Sequence, residues 1–356
     1  MRALRARLGA IFYDVPPFLW HLLRPGTERT RERPWVRIRN RHDRLLAEDG
    51  VPGVRCDWQW TSDLHVCKVF PAAGLALMRR AFRDWPIRLS DAPVVVGDPE
   101  VTFVLGHRGL ERLPHLLMTL RSLAGQEGVA IEAIVVEQSA APEIREAIPS
   151  WVRYIHTPIA SPSVPYMRSW SLNVGARHAR GRILVLHDND MVMPRDYARE
   201  VVSRAGEGAE ILDLKRFTFY LSAGHSQRIL DAGRIVLDEP PEAVVQNLQG
   251  ASIVATREAY EAIGGYDESF VGWGGEDNEM WERAATRRLS AHGYLPMLHL
   301  WHAPQREKAE GRAAEGLARQ RSLSEIPVAE RIERLRARAW GRIDSPEVGE
   351  NHEWSG

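Results

Sequence analysis

Between residues 101 and 187 short apolar runs alternate with stretches of helical periodicity, and few folds accommodate that alternation. Residues 101–105 read as a short buried strand. Residues 111–124 read as a helix with Leu113, Leu116, Leu117, Leu120 and Leu123 on one side. A strand at 131–136 follows, then a short helix at 142–148 and a strand at 152–155. Residues 168–179 are helical up to Gly181, and 183–187 is a strong buried strand. Such β-α-β alternation predicts a parallel sheet covered by helices. Ligands of these sheets bind beyond the carboxyl ends of the strands. The loops after Leu105, Val136 and His187 are therefore expected to line one crevice.

The rest of the 356-residue chain is divided around this core. Residues 1–96 are rich in Arg, Trp and Pro and have weak periodicity. They hold one good helix, with Leu75, Leu77, Met78, Ala81 and Phe82 as its stripe. Residues 97–305 hold every strong motif. Residues 306–356 are charged, with a helix expected near 328–340 and a polar tail.

The strand at 183–187 runs straight into Asp188, Asn189 and Asp190. In an extended chain, side chains two apart point to the same side. Two hard carboxylates there suit Mg²⁺ or Mn²⁺, which would bridge to a diphosphate and offset the charge of a departing nucleotide. The competing reading is an Asx-rich turn into a helix near Pro194.

Residues 272–279 read Gly-Trp-Gly-Gly-Glu-Asp-Asn-Glu. Glycines bracketing Trp273 allow the backbone to approach a ligand closely. Met280, Trp281, Ala284 and Ala285 mark a helix behind them, so Glu276 and Asp277 sit at a helix N-terminus, where the macrodipole favours the ionised form. A general base must be ionised to accept a proton. Acidic residues also decorate many helix starts without further purpose, but that does not explain the glycine-bracketed Trp.

Taken together, LNVGARHARGRILVLHDNDMVMP, NLQGASIVATREAYEAIGGYDESFVGWGGEDNE and LHLWH resemble, in order, the active-site segments of the β-1,4-galactosyltransferases and related bacterial enzymes. The resemblance covers roughly residues 100–305. It implies an α/β GT-A (nucleotide-diphospho-sugar transferase) fold with a Rossmann-like central sheet, preceded by an N-terminal extension. It implies an inverting transfer of a hexose from a UDP-sugar to an acceptor hydroxyl, with Mn²⁺ or Mg²⁺ as cofactor. Asp190 and His302 are then metal ligands. His299 falls where the family places a Met ligand, and sharing a face with His302 requires a bend near Trp301. Asp277 matches the catalytic base, and Glu276 holds sugar hydroxyls. Trp273 and Gly274 form the floor of the site, on a loop able to close over it. Asp188 lies beside the ribose or supports the metal.

His107, Arg108, Glu137 and Arg168 are expected at the nucleotide, with Gly250 in the donor-sugar loop. Arg108 and Arg168 offer fixed charge to phosphate. The family's acidic pair is Glu137-Gln138 here. A small Asn247 stands near a bulky family Tyr, which leaves galactose and N-acetylgalactosamine both open as the donor sugar, with glucose a third alternative.

Other classes fit less well. Lys plus Arg and Asp plus Glu both total 47, so no basic excess points to nucleic acid. A non-catalytic nucleotide-sugar-binding or scaffold protein on the same fold would not need Asp277. A metal hydrolase lacks an H-E-x-x-H or a nucleophile triad. The acceptor is expected to be a carbohydrate or glycolipid. Cys56 and Cys67 form no disulfide framework, so a cytoplasmic setting is the default reading. The apolar run 8–23 is broken by Asp14, Pro16 and Pro17, too poor for a span or signal peptide. Beside Arg2, Arg5 and Arg7, its Phe12, Tyr13, Phe18, Leu19 and Trp20 suit either packing on the catalytic domain or peripheral contact with the inner face of a membrane.

Overall fold

The computed structural model describes residues 7–26, 33–57, 61–272, 274–304 and 313–344. A seven-stranded sheet forms the centre. Its strand order is Leu289–Ser290, Ile211–Leu212, Ser252–Thr256, Ile183–His187, Val101–His107, Ile131–Ser139, Arg153–Pro158. The last four run parallel, as the alternation required, and Ser252–Thr256 joins them antiparallel.

Both faces of this sheet are covered, which explains why its strands are apolar throughout rather than alternating with polar residues. Phe103, Leu105, Val135 and Val185 share one core cluster with Leu116, Leu120 and Leu123 of the helix Leu113–Ala124. Val104, Ile134, Val136, Leu184 and Leu186 share the other with Trp170, Leu172 and Val174 of the helix Arg168–His178. This is a Rossmann-like arrangement, a largely parallel sheet between two layers of helices.

A second, five-stranded sheet runs Ser62–Asp63, Ala243–Gln246, Lys215–Tyr220, Leu295–His299, Met191–Val192. Its first strand comes from the N-terminal stretch. The helix Pro71–Asp84 buries Leu77, Met78, Ala81 and Phe82 in the same cluster as Phe217 and Phe219. Trp35 is fully buried there, with its indole N–H on Asp84 at 3.0 Å. Trp35 and the helix Pro71–Asp84 thus share a core with the residues that follow them.

Several local expectations shift. Residues 142–148 make only a short 3-10 turn at Arg145–Ala147, and the next strand is Arg153–Pro158. The helix expected over 328–340 is Val328–Ala337. Cys56 and Cys67 are free thiols.

Candidate active site

Strand register builds the site. The strand Ile183–His187 belongs to the central sheet and Met191–Val192 to the second sheet, so Asp188–Asp190 is the crossing between them. The chain does not stay extended across it: residues 189 and 190 form a turn. Asp188 and Asp190 therefore face different partners rather than sharing one side. Met191 pairs antiparallel with His299, and the N–H of Leu300 donates to the Asp190 carbonyl at 2.9 Å. That register sets the His299 ring against the Asp190 carboxylate.

The strand Leu295–His299 ends at His299, and the irregular chain beyond it supplies the bend that His302 needs. His299 Nε2 lies 3.8 Å and His302 Nε2 3.2 Å from the Asp190 carboxylate. One ligand atom from each of the three lies within 4.8 Å of the others. Tyr220, the parallel partner of His299, stacks on its ring at 4.2 Å.

Burial works against ionisation of Asp190, but His299, the His302 hydrogen bond and Arg112 outweigh it. They hold the carboxyl well below the usual carboxylate range. Burial lowers His299 to about 4, so at neutral pH it is the uncharged imidazole that a cation requires. At that pH the support for Asp190 comes from Arg112 and His302. Among the described residues, His299 Nδ1 is buried without a hydrogen-bond partner. One carboxylate and two imidazoles form a donor set suited to a divalent cation.

The second half of the site is an arginine bridge. Arg168 opens its helix and donates to Asp188 through Nε (3.0 Å) and Nη2 (2.8 Å), and to Asp277 Oδ1 through Nη1 (2.9 Å). Tyr266 Oη also donates to Asp277 Oδ1, at 2.7 Å. Two donors on one oxygen fix the orientation of the Asp277 carboxylate. The other oxygen lies against Gly250.

Asp277 and Glu276 begin the helix Glu276–Ala284, whose N-cap Gly275 has φ +86. A side chain is excluded there twice, by the left-handed backbone and by the Gly316 carbonyl 2.4 Å from an ideal Cβ. Behind the site, fully buried Arg283 pairs with Glu279 at 2.6 Å and donates to the carbonyls of Ile263 and Gly265. This network anchors the helix. Burial pushes the Glu276 carboxyl up to about 7, reinforced by the charge of Asp277 and opposed by Arg168. Glu276 is thus largely protonated on the acid side of neutrality, where the dipole argument alone expected an anion.

The loop before Ser252 is clamped between these halves. Asp188 N donates to the Ala251 carbonyl at 2.8 Å, and Trp281 Nε1 to the Gln249 carbonyl at 2.8 Å. Asn247 and Ala251 both have positive φ (58 and 69). For a residue with a Cβ this conformation costs about 1–2 kcal/mol, which the surrounding bonds must offset.

These groups surround one crevice of about 1150 Å³. Arg108, Arg168, Asp188, Asp190, Gly250, Gly274, Glu276, Asp277, His299 and His302 all line it. His107 and Glu137 do not. Each is completely buried, because each completes a polar network that the fold itself requires. His107, lowered to about 4 by burial, bonds the Gly109 carbonyl (3.0 Å) and the Asn189 amide (2.9 Å). Glu137 accepts from Ser139 Oγ (2.9 Å), the Glu143 N–H (3.0 Å) and the Tyr154 hydroxyl. Arg108 reaches the crevice while donating to the Val164 carbonyl at 2.5 Å and to both Gln138 oxygens at 3.0 and 2.6 Å. It ties down the loop before Arg168. The Asn247 carbonyl accepts from Thr61 Oγ1 at 3.1 Å, and Asn247 is not among the lining residues. Trp273 lies outside the described residues.

Sequence reasoning missed Arg112, which pairs with Asp190 and donates to Asn189 Oδ1 at 2.9 Å. It also missed Tyr266. Arg112 stands one turn beyond Arg108, just before the Leu113–Ala124 helix, and its basic charge at a strand-end loop was the available signal.

Two family models match overlapping stretches of the chain. Glycosyl transferase family 2 matches residues 111–253, and the N-terminal domain of galactosyltransferase matches 241–302. No curated protein matches the sequence. Among solved structures, a Pyrobaculum calidifontis mannosyltransferase in complex with GDP-Man and Mn²⁺ shares 16% identity, covering 75% of this chain and 76% of its own, at TM-score 0.43. The catalytic domain of Drosophila β1,4-galactosyltransferase 7 shares 15%, over 55% and 65%, at 0.35. Glucosyl-3-phosphoglycerate synthase of Mycobacterium tuberculosis, in complex with Mg²⁺ and UDP, shares 17%, over 64% and 80%, at 0.41.

Proposed function

We propose that this chain, a glycosyltransferase of the GT-A fold, is an inverting enzyme that moves a hexose from a UDP-sugar to an acceptor hydroxyl with Asp277 as general base. Galactose and N-acetylgalactosamine are the first candidates for the sugar, and a carbohydrate or glycolipid for the acceptor. The observation that carries the reading is the Arg168 bridge. It joins Asp277 to Asp188, two residues from the Asp190–His299–His302 cluster, so base and metal ligands open on one crevice.

Asp190, His299 and His302 are the residues that would hold the cation. Two imidazoles favour Mn²⁺ over Mg²⁺, which prefers an oxygen shell. The cation, when bound, supplies Lewis-acid neutralisation of the departing diphosphate. Arg112 is the other positive group beside Asp190.

Asp277 takes the acceptor proton on Oδ2, since Oδ1 is committed to Arg168 and Tyr266. The acceptor oxygen attacks the anomeric carbon opposite the leaving group, through an oxocarbenium-like transition state, with inversion. Glu276, which lines the crevice, presents its carboxyl to sugar hydroxyls. The clamped Leu248–Ala251 segment, rather than Asn247, faces the donor sugar. Arg108 and Arg168 act mainly by positioning the walls that receive the nucleotide.

The test is donor hydrolysis with a panel of UDP-sugars, with and without Mn²⁺. Metal-dependent UDP release from one donor is expected, lost in Asp190→Ala and strongly reduced in Asp277→Asn. UDP binding without turnover across broad acceptor mixtures would favour a scaffold instead. Absence of UDP binding would overturn the nucleotide assignment.

A further inference from the structure

The N-terminal arm carries a surface that the catalytic reading does not use. Residues 7–23 form one helical run, a π-helical turn at Ala10–Asp14 leading into the helix Val15–Leu23. One face is buried through Ala10, Phe18 and Leu22, packed towards the turn Pro34–Arg37. The other leaves Ile11, Phe12, Tyr13, Leu19, Trp20 and Leu23 in water, with Phe12 70%, Trp20 63% and Leu23 72% exposed. An exposed apolar patch of this density marks an interaction site.

Charge identifies the occupant. The described residues between 7 and 44 contain seven arginines and two carboxylates, an excess of five positive charges in a chain whose net charge is zero. The one acid within the run, Asp14, is spoken for by Arg41 at 3.1 Å and His65 at 3.2 Å. Arginines border the patch: Arg24 lies over the Trp20 ring at 5.7 Å and Arg41 over Tyr13 at 4.6 Å. His21, on the same helix, is pushed down by burial and then by the charges of Arg39, Arg37 and Arg24. A second copy of this surface would bring like charges together. An anionic layer with an apolar interior satisfies both features at once.

We propose that the helical face of residues 7–24 docks on an anionic lipid bilayer, with its aromatic and aliphatic side chains at the acyl boundary and its arginines among the headgroups. The helix lies in the membrane plane: among the described residues no helix is long and apolar enough to cross a membrane.

The test is co-sedimentation of the full chain with phosphatidylcholine vesicles, with and without phosphatidylglycerol. Phosphatidylglycerol should raise the bound fraction on the order of tenfold or more, and added salt should reverse the gain. The double variant Phe12→Ser/Trp20→Ser should lose on the order of tenfold in partition, with UDP binding and melting temperature unchanged as controls for the fold. Equal binding to neutral and anionic vesicles, or none, overturns the proposal. So does self-association in sedimentation velocity that the double variant abolishes without any vesicle binding by the parent, which assigns the face to a second copy. Donor hydrolysis reports separately on the catalytic reading.

Discussion

The Cβ that Gly250 lacks would stand 2.4 Å from Oδ2 of Asp277. The loop at Gly250 and the proposed base are therefore fitted to each other, with no room for a methyl group between them. Gly250→Ala should push the carboxylate off its Arg168 and Tyr266 donors. A displacement of about 1 Å at a reacting group costs on the order of a hundredfold in rate. The expected outcome is that fall in kcat with Mn²⁺-dependent UDP binding retained, checked by steady-state kinetics beside calorimetry. Unchanged kcat would separate Asp277 from the chemistry.

Arg112 and His302 meet the same carboxylate oxygen of Asp190, so Arg112 would compete with a divalent cation held by that cluster. Removing the guanidinium in Arg112→Gln should strengthen Mn²⁺ binding several-fold, roughly 1 kcal/mol, the scale of a partly exposed charge pair. Electron paramagnetic resonance titration of free Mn²⁺ measures it directly. Weaker binding would instead make Arg112 the residue that holds Asp190 in place.

Glu276 gives a pH signature. Its folded value near 7 lies above the ordinary 4.5, so between those two pH values the folded state binds more protons than the unfolded state. Stability from this group is complete below 4.5 and declines as pH rises through 7. The full loss is up to about 3 kcal/mol. Glu276→Gln removes the ionisation, so the variant should gain on the parent at pH 8 relative to pH 5. Parallel urea unfolding curves at the two pH values check the sign. A gap that does not widen at pH 8 would show that folding does not raise the Glu276 carboxyl.

The Glu279–Arg283 pair is completely buried, and Arg331 also reaches Glu279 at 3.2 Å. Arg283→Met leaves a buried carboxylate with only Arg331 and should cost about 3–5 kcal/mol. The double variant Glu279→Met/Arg283→Met should recover much of that, because no uncompensated charge remains. Chemical denaturation of the three proteins tests the pair. If the double variant is as unstable as the single, packing rather than charge is what Arg283 supplies.

The amino-acid sequence by itself determined the alternation of buried strands and amphipathic helices, because periodicity and apolar runs are local properties. It also placed Asp188, Asp190, Glu276 and Asp277 at strand and helix ends, where the covered sheet opens. What it did not determine was which charges meet. Asp188 and Asp190 were legible as a pair. Only the turn between two sheets sends one to Arg168 and the other to His299 and His302. His107 and Glu137 carry polar chemistry in strands that end at the site, yet both are consumed inside the fold by partners up to 82 residues away in sequence. Arg112 stood unremarked in the sequence and meets Asp190 across 78 residues. Such encounters depend on strand register and on the burial of each group, and both are fixed only when the two sheets and their covering helices close around one core.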